Sequence, residues 1–576
     1  MIKNQLFKQI AIIGGGPSAL LMYKRLVESD EGFEISIFEK KHQLGMGMPY
    51  SGEGANFEHI TNVSENEIPP LVTSIEEWSK TQSTDFLTKF NIDPNHFNEY
   101  KVLPRLFFGA YLEGQFELLQ KKAQQLGLKT NIHLNTKVID IIDEPKSNTI
   151  KVITEGGASL NFNHVIICSG HNWPKTFEGK VKGYYDSPYP PKKLNLKLNH
   201  AVALKGSSLT AIDAIRTLAR NNGQFLQDDN GKLNYSLNKE LPNFKMVMHS
   251  RSGLLPAVRI HLEDTHLKND ALLTLEEIRQ HRQENGGFVS LDYIFNENFK
   301  LQFLKKDIAF YEKIKDLNLE QFVDLMMSQR EKISPFELLK AEYKEAEKSI
   351  KRHQSVYWKE LLGSLSFTLN YPAKYFSAED MMRLKKTLMP LISIIIAFLP
   401  QSSCEEILAL HEAGVLELVS VDDNSREEAH ENGGVTYHYI AEDGRDEAVF
   451  YPTYINCIGQ PHLNKADFPF KSLVNDQKIS EAMLKFKSAD VAEKMIVENK
   501  DILQTENGDY YLKIAGIGIN DNYQVTDRYG SYNERIYIMA VPYIGGFNPD
   551  YSGLDFCEQA SEKVINNLIK VTHSNL

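Results

Sequence analysis

The sequence predicts an α/β fold of two parallel-sheet units interrupted by a helical insertion, and three observations carry that expectation. Residues 8–40 run strand, glycine turn, amphipathic helix, strand; the pattern restarts near Ala201; and between about Glu263 and Leu399 strand signals give way to charged helical periodicity. At 576 residues and 42% apolar content the chain exceeds what one core organises, so two or three compact units are expected. The fold class is therefore α/β, two Rossmann-like (three-layer ββα) dinucleotide-binding domains with a helical insertion.

In order, a strand at Gln9–Ile13, a turn at Gly14–Ser18, a helix at Ala19–Val27 and a strand at Glu34–Glu39 form the first βαβ opening. Strand signals at Lys137–Ile142, Ile150–Thr154 and His164–Cys168 read as an antiparallel flap returning to the parallel sheet. The second opening is a strand at Ala201–Leu204, a helix at Thr210–Arg220 and a strand at Lys245–His249, with Asn221–Asn243 as an insertion. Helical periodicity marks Gln321–Lys332 and Pro335–Arg352. Strands at Val415–Val421, Thr436–Ile440 and Tyr454–Cys457 are expected to complete the second unit. Ile536–Met539 and a last helix from about Leu554 then close the first, which makes that unit a product of both chain ends.

A formal charge of −12 speaks against a polyanionic partner, so nucleic acid is not expected. Cys168, Cys404, Cys457 and Cys557 are too scattered for a disulfide framework, a CxxC pair or a zinc site, which suits a reducing compartment and leaves no metal expected. The apolar stretch before Gly14 lacks a small-residue cleavage site. The longest apolar run, Leu388–Leu399, contains Pro390 and falls short of the roughly 20 residues a membrane span needs, so it reads as a buried helix. A cytoplasmic location is expected.

Gly14-Gly15-Gly16-Pro17-Ser18-Ala19 fits G-x-G-x-x-A between a strand and a helix. Gly14 permits the tight turn, Gly16 a close approach to pyrophosphate and Ala19 close helix packing, while Glu39, beside Lys40 at the end of the next strand, can accept from ribose hydroxyls. An acid there favours a nucleotide without a 2′-phosphate. The second turn, Gly206-Ser207-Ser208-Leu209-Thr210-Ala211, keeps the first glycine and the last small residue. Arg251, just after its second strand, can hold a 2′-phosphate bidentately and so favours NADPH over NADH, or it is a surface arginine. Two strand ends, Cys168-Ser169-Gly170 and Cys457-Ile458-Gly459, suit crossings between the two units, or ordinary turns.

With Gly14–Ala19 and Glu39, the segment Gly45–Ser51, Asn62 and Pro104–Leu112 resemble the FAD/NAD(P)-binding family that includes bacterial FAD-dependent urate hydroxylases and aspartate N-monooxygenases. The resemblance covers both nucleotide units and thins in the helical insertion. It implies FAD at the first site, with Gly45, Gly47, Met48 and Tyr50 wrapping the diphosphate and approaching the isoalloxazine, and with Asn62 and Arg105 close to the flavin. On the residues alone, Arg105 is equally a structural arginine at a helix start and Asn62 a loop cap. In the same comparison Gly545, Gly546 and Leu554 would bring backbone and a helix N-terminus to the flavin pyrimidine, although the Gly-Asp pair common to many such flavoproteins is missing after Met539.

The domain boundaries that follow are 1–195 and 461–576 for FAD, 196–262 and 400–460 for NAD(P), and 263–399 for the helical insertion. The expected activity is an NADPH-using monooxygenase acting through a flavin hydroperoxide on a small polar metabolite, with dioxygen as co-substrate. An NADPH-dependent reductase or electron-transfer protein, and a non-catalytic flavin-binding protein, are the alternatives. Catalytic side chains are not identifiable: His249, His261 and His266 are scattered, and for an anionic substrate Arg105 and Arg259 are the candidate cations.

Overall fold

Apolar β-strands long enough to be buried on both faces build two parallel sheets. The structure, a computed structural model, describes residues 8–29, 31–171, 173–263, 273–460, 463–550 and 553–574. In chain order the strands of these sheets are β1 (Lys8–Ile13), β2 (Phe33–Phe38), β3 (Thr130–His133), β4 (His164–Ile167), β5 (Tyr184–Tyr185), β6 (Ala201–Lys205), β7 (Lys245–Ser250), β8 (Leu416–Ser420), β9 (Thr453–Asn456), β10 (Gln524–Thr526) and β11 (Tyr532–Ile538). The first sheet has the order β10-β11-β4-β1-β2-β3, parallel except for β10 at one edge, and so joins strands from both ends of the chain. The second has the order β5-β9-β6-β7-β8 and is parallel throughout.

Helix α1 (Pro17–Glu28) starts with proline in its first turn, where the missing N–H costs nothing, and buries Ala19 through Lys24 with Leu26 and Val27. Helices α2 (Arg105–Gln125), α3 (Leu209–Asn222) and α4 (Gly553–Ser574) are among those that flank the sheets. Helix α1 packs on α2 and, through the Arg25–Glu558 ion pair, on α4.

Between the two halves of the second sheet the chain is helical, with helices at Leu275–Glu284, Leu319–Glu331, Pro335–Arg352, Tyr357–Thr368 and Met389–Ile395 among others. Its apolar faces are shared: Phe299, Phe322 and Leu365 join the core of the first sheet, whereas Phe336, Leu339 and Ala346 join that of the second. Pro390 sits in the first turn of its helix and does not interrupt it. Among the described residues no helix is long and apolar enough to cross a membrane.

Four points depart from or refine the sequence reading. Thr436–Ile440 does not complete the second parallel sheet; Val435–Ile440 is the middle strand of a separate antiparallel sheet with Arg426–Ala429 and Asp446–Tyr451. Alternating burial along it specifies a strand but not its partners. The segment after β9 contains an antiparallel sheet that sequence reading passed over, Glu481–Lys485, Tyr510–Ile517 and Ile502–Gln504. Asn62 is no loop cap, since it lies inside the strand Ile60–Ser64. The insertion expected at Asn221–Asn243 is a hairpin, Gly223–Gln227 with Leu233–Leu237.

Candidate functional site

The turn between β1 and α1 is shaped by glycine backbone and held by one carboxylate. Gly14 has φ +108° and donates its N–H to Phe38 O at 2.8 Å, and a Cβ there would meet Cys168 O at 2.6 Å. Only glycine fits such a conformation without strain. Glu39 accepts the Gly15 N–H at 2.7 Å and the Lys41 N–H at 2.9 Å, which fixes its carboxylate beside the turn, while Lys40 points to solvent. The segment 45–50 closes over the turn: Gly45 donates to Gly15 O at 2.7 Å, and a Cβ on Gly16 would come within 3.2 Å of the Gly47 Cα. No side chain caps the N-terminus of α1, so its free N–H groups and dipole face this opening.

The opposite wall comes from α4. Ser18 Oγ and Cys557 Sγ are 3.1 Å apart, Ala19 is fully buried, and Leu554 is buried one turn earlier. Two buried polar atoms here, Ser169 Oγ against the Gly14 turn and Asp555 Oδ1 in the first turn of α4, have no protein partner. A backbone cradle too tight for a Cβ, an acid at the end of β2 and orphaned polar atoms fit a bound dinucleotide. Met48 and Tyr50 are half-buried along the same segment, and burial pushes the Tyr50 hydroxyl up to about 12. Gly545 and Gly546 are buried, with Gly546 packed too closely on Ala515 O for a side chain. Among the described residues no His, Cys, Asp and Glu cluster suited to a metal ion occurs.

Arg105 is not a free cation. It opens α2, donates from Nε to Ile60 O at 3.0 Å and from a terminal nitrogen to Asp213 on α3 at 2.5 Å. Tyr189 donates to the same Asp213 oxygen at 2.7 Å, and His59 Nε2 lies 3.1 Å from the Asp213 carbonyl. Burial alone would raise the Asp213 carboxyl, but Arg105, His59 and Tyr189 outweigh it and hold the group below its ordinary value. This buried cluster ties the first unit to the helix that follows the second glycine turn. Arg259 is likewise engaged, with Glu67, Ser64 Oγ at 2.7 Å and the Asn62 carbonyl, so neither arginine is available for an anionic substrate; the Asn62 side chain is exposed.

At the second turn Gly206 has φ +107° and donates to His249 O at 2.8 Å. Ser207 is buried and donates to Leu254 O at 2.7 Å, which ties the turn to the loop after β7. Ser208, the residue before α3, is exposed with no side-chain cap bond, and Thr210 lies half-buried in the first turn of the helix. Arg251 is exposed, its nearest carboxylate being Asp423 at 3.5 Å. His249 is buried against Tyr437 at a ring distance of 4.1 Å, and burial pushes it down to about 4; His261 packs against Tyr100 at a tilt and edge-on to His353. His266 lies outside the described residues. Beyond β4 and β9 the two glycine-ended loops meet, because His171 and Gln460 are hydrogen-bonded.

Asp213, Tyr189, His171 and Asp555 were missed from sequence. Asp213 was findable as the one charged residue in the otherwise apolar run Ala211–Ile215. Asp555 gives a checkable consequence. A helix N-terminus favours its anion, yet burial, followed by Glu67, Asp550 and Glu558, pushes it up to about 7. In flavin-free protein the unfolded state releases this proton near pH 4 while the folded state keeps it to about pH 7, so folding weakens across that window. Asp555→Asn should therefore leave stability unchanged near pH 3.5 and raise it by about 2–4 kcal/mol at pH 8. Urea unfolding at the two pH values measures it; an equal effect at both would deny the shift.

Residues 11–172 match the model of the FAD-NAD(P)-binding family, and residues 274–396 match that of the YdhS-like middle domain. The chain is 25% identical over 472 residues to the uncharacterized protein YdhS of Escherichia coli (strain K12), covering 81% of this chain and 86% of YdhS. Solved structures with a similar course include an ornithine N-hydroxylase from Kutzneria sp. 744, at 11% identity over 98% of this chain and 100% of that one with a TM-score of 0.47. An ornithine hydroxylase from Pseudomonas aeruginosa has 12% identity over 98% and 100%, with a TM-score of 0.46. Likeness at that level says nothing about substrate. The match to the FAD-NAD(P)-binding family over residues 11–172 spans the cradle from Gly14 to Ser169.

Proposed function

We propose that the protein is an FAD-dependent oxidoreductase that draws electrons from NADPH and acts as a monooxygenase on a small polar metabolite. The observation that carries this reading is the cradle of Gly14, Gly16, Gly45 and Gly47 at the uncapped N-terminus of α1, with Glu39 beside it. FAD, when bound, supplies hydride acceptance and dioxygen activation. The chain's own residues then bind and orient: Gly16, Pro17, Ser18 and Gly47 at the diphosphate, Glu39 at the ribose, and Met48, Tyr50, Gly545, Gly546 and Leu554 around the ring system. Residues 1–195 and 461–576 form the FAD domain in this reading, 196–262 and 400–460 the NADPH domain, and 263–399 a helical insertion.

The chemistry related to urate hydroxylases and aspartate N-monooxygenases is preferred over disulfide reduction for a reason in the thiols. Cys168, Cys404, Cys457 and Cys557 are all buried, and burial pushes every one of them up, away from the thiolate that exchange chemistry needs.

At the second turn, Gly206, Ser207, Ser208 and Thr210 would receive the NADPH diphosphate, and exposed Arg251 its 2′-phosphate. Arg251→Ala is expected to weaken NADPH by about 1.5–3 kcal/mol, as for a lost charged hydrogen bond, and to leave NADH unchanged. Steady-state oxidation of the two nucleotides measures this directly. Equal loss for both, or none for NADPH, removes Arg251 from the site.

A further inference from the structure

Three separated parts of the chain bring cations together around one carboxylate. Tyr371, Lys374 and Tyr375 come from the helical segment, Asp521 from the turn before β10, Lys563 from α4, and Arg282 from the end of the helix Leu275–Glu284. Asp521 is fully used. It accepts from the Tyr375 hydroxyl at 2.5 and 2.6 Å and from the Tyr371 hydroxyl at 3.1 Å, and pairs with Lys374 at 2.7 Å. Lys563 Nζ stands 3.9 Å over the Tyr371 ring, which Lys374 also overlies at 4.8 Å, and the Arg282 guanidinium lies 3.7 Å over Tyr375. Arg282 gives only its Nε, to Gly287 O at 3.2 Å. Among the described residues neither Lys563 nor Arg282 has a carboxylate at ion-pair distance.

Lys374, Lys563 and Arg282 gather around Asp521, and Glu562 favours the charge on Lys563 only from beyond ion-pair distance, so the corner stays net positive in a chain whose formal charge is −12. Partly desolvated cations without anions are costly, and tyrosine faces offset only part of that cost. The strain shows in Lys563, which burial and then Lys374 push down to about 8. We propose that Lys374, Lys563 and Arg282 form a second binding site, apart from the nucleotide turns, for a compact oxyanion carrying two negative charges. A phosphate group or a dicarboxylate has that chemistry, offering oxygen acceptors to guanidinium and ammonium donors.

The experiment uses full-length, flavin-loaded protein, with thermal unfolding followed in inorganic phosphate, in succinate, and in chloride at matched ionic strength. At least one dianion should raise Tm by a few degrees beyond chloride. Lys563→Met, which removes an unpaired charge and keeps the stem's packing, should fold at least as stably without the anion and weaken it about tenfold or more. Lys563→Arg should retain it. Which dianion acts distinguishes a phosphate-bearing ligand from a carboxylate one. No increment over chloride from either, or an increment unchanged in Lys563→Met, overturns the site.

Discussion

Alanine at Gly14 is expected to yield protein without flavin, destabilised by about 2–5 kcal/mol. The sum has two parts: roughly 1–2 kcal/mol for placing an L side chain in left-handed backbone, and about 1–3 kcal/mol for forcing atoms into a packed interior. Both apply, because φ is +108° and the new Cβ would lie 2.6 Å from Cys168 O, which cannot rotate away. Gly127→Ala is the control. Its φ is +72°, but nothing lies within 4 Å of the Cβ, so it should lose only the conformational part and keep its flavin. Visible absorbance per polypeptide and denaturant midpoints read the two effects separately.

The second large effect is expected at Asp213. Replacing it with alanine removes the carboxylate that Arg105 and Tyr189 share, and leaves the Arg105 guanidinium buried without its counter-charge. Truncating one partner of a buried pair costs about 3–5 kcal/mol. A second readout distinguishes this pair from an ordinary core contact. Asp213 lies on α3, one turn beyond Leu209 at the glycine turn, and Arg105 starts a helix of the first unit. Asp213→Ala should therefore slow flavin reduction by NADPH even at temperatures where the variant stays folded. Replacing Arg105 and Asp213 together by Met and Leu should recover most of the stability and not the reduction rate. Full recovery of both would make the pair purely structural.

Local order was legible where two signals coincide. The β1 turn, α1 and β2 combine apolar strand runs, glycines and helical periodicity within 33 residues, and each lies where those signals put it. Pairing across distance was less legible. Val435–Ile440 has a strand's alternation, yet nothing in it says that hairpin neighbours, and not β8 or β9, are its partners. The strand Ile502–Gln504 is three residues long and leaves almost no periodic trace. The site followed the same division. Glycines at Gly14, Gly45 and Gly206 announce backbone conformations that only they adopt freely, so sequence found them. Asp555 sits at an ordinary helix start, where an acid reads as solvated, and Arg105, the buried partner that gives Asp213 its role, comes from more than a hundred residues away.

One cleft is proposed to hold FAD and to receive electrons from NADPH at the second turn. An anaerobic titration of the flavin-loaded protein with NADPH, then with NADH, followed by visible absorbance, tests it most directly. NADPH should bleach the flavin bands, NADH should bleach them more slowly, and the oxidised spectrum should return on admitting air. A purified protein that stays colourless and cannot be reconstituted with FAD would contradict it.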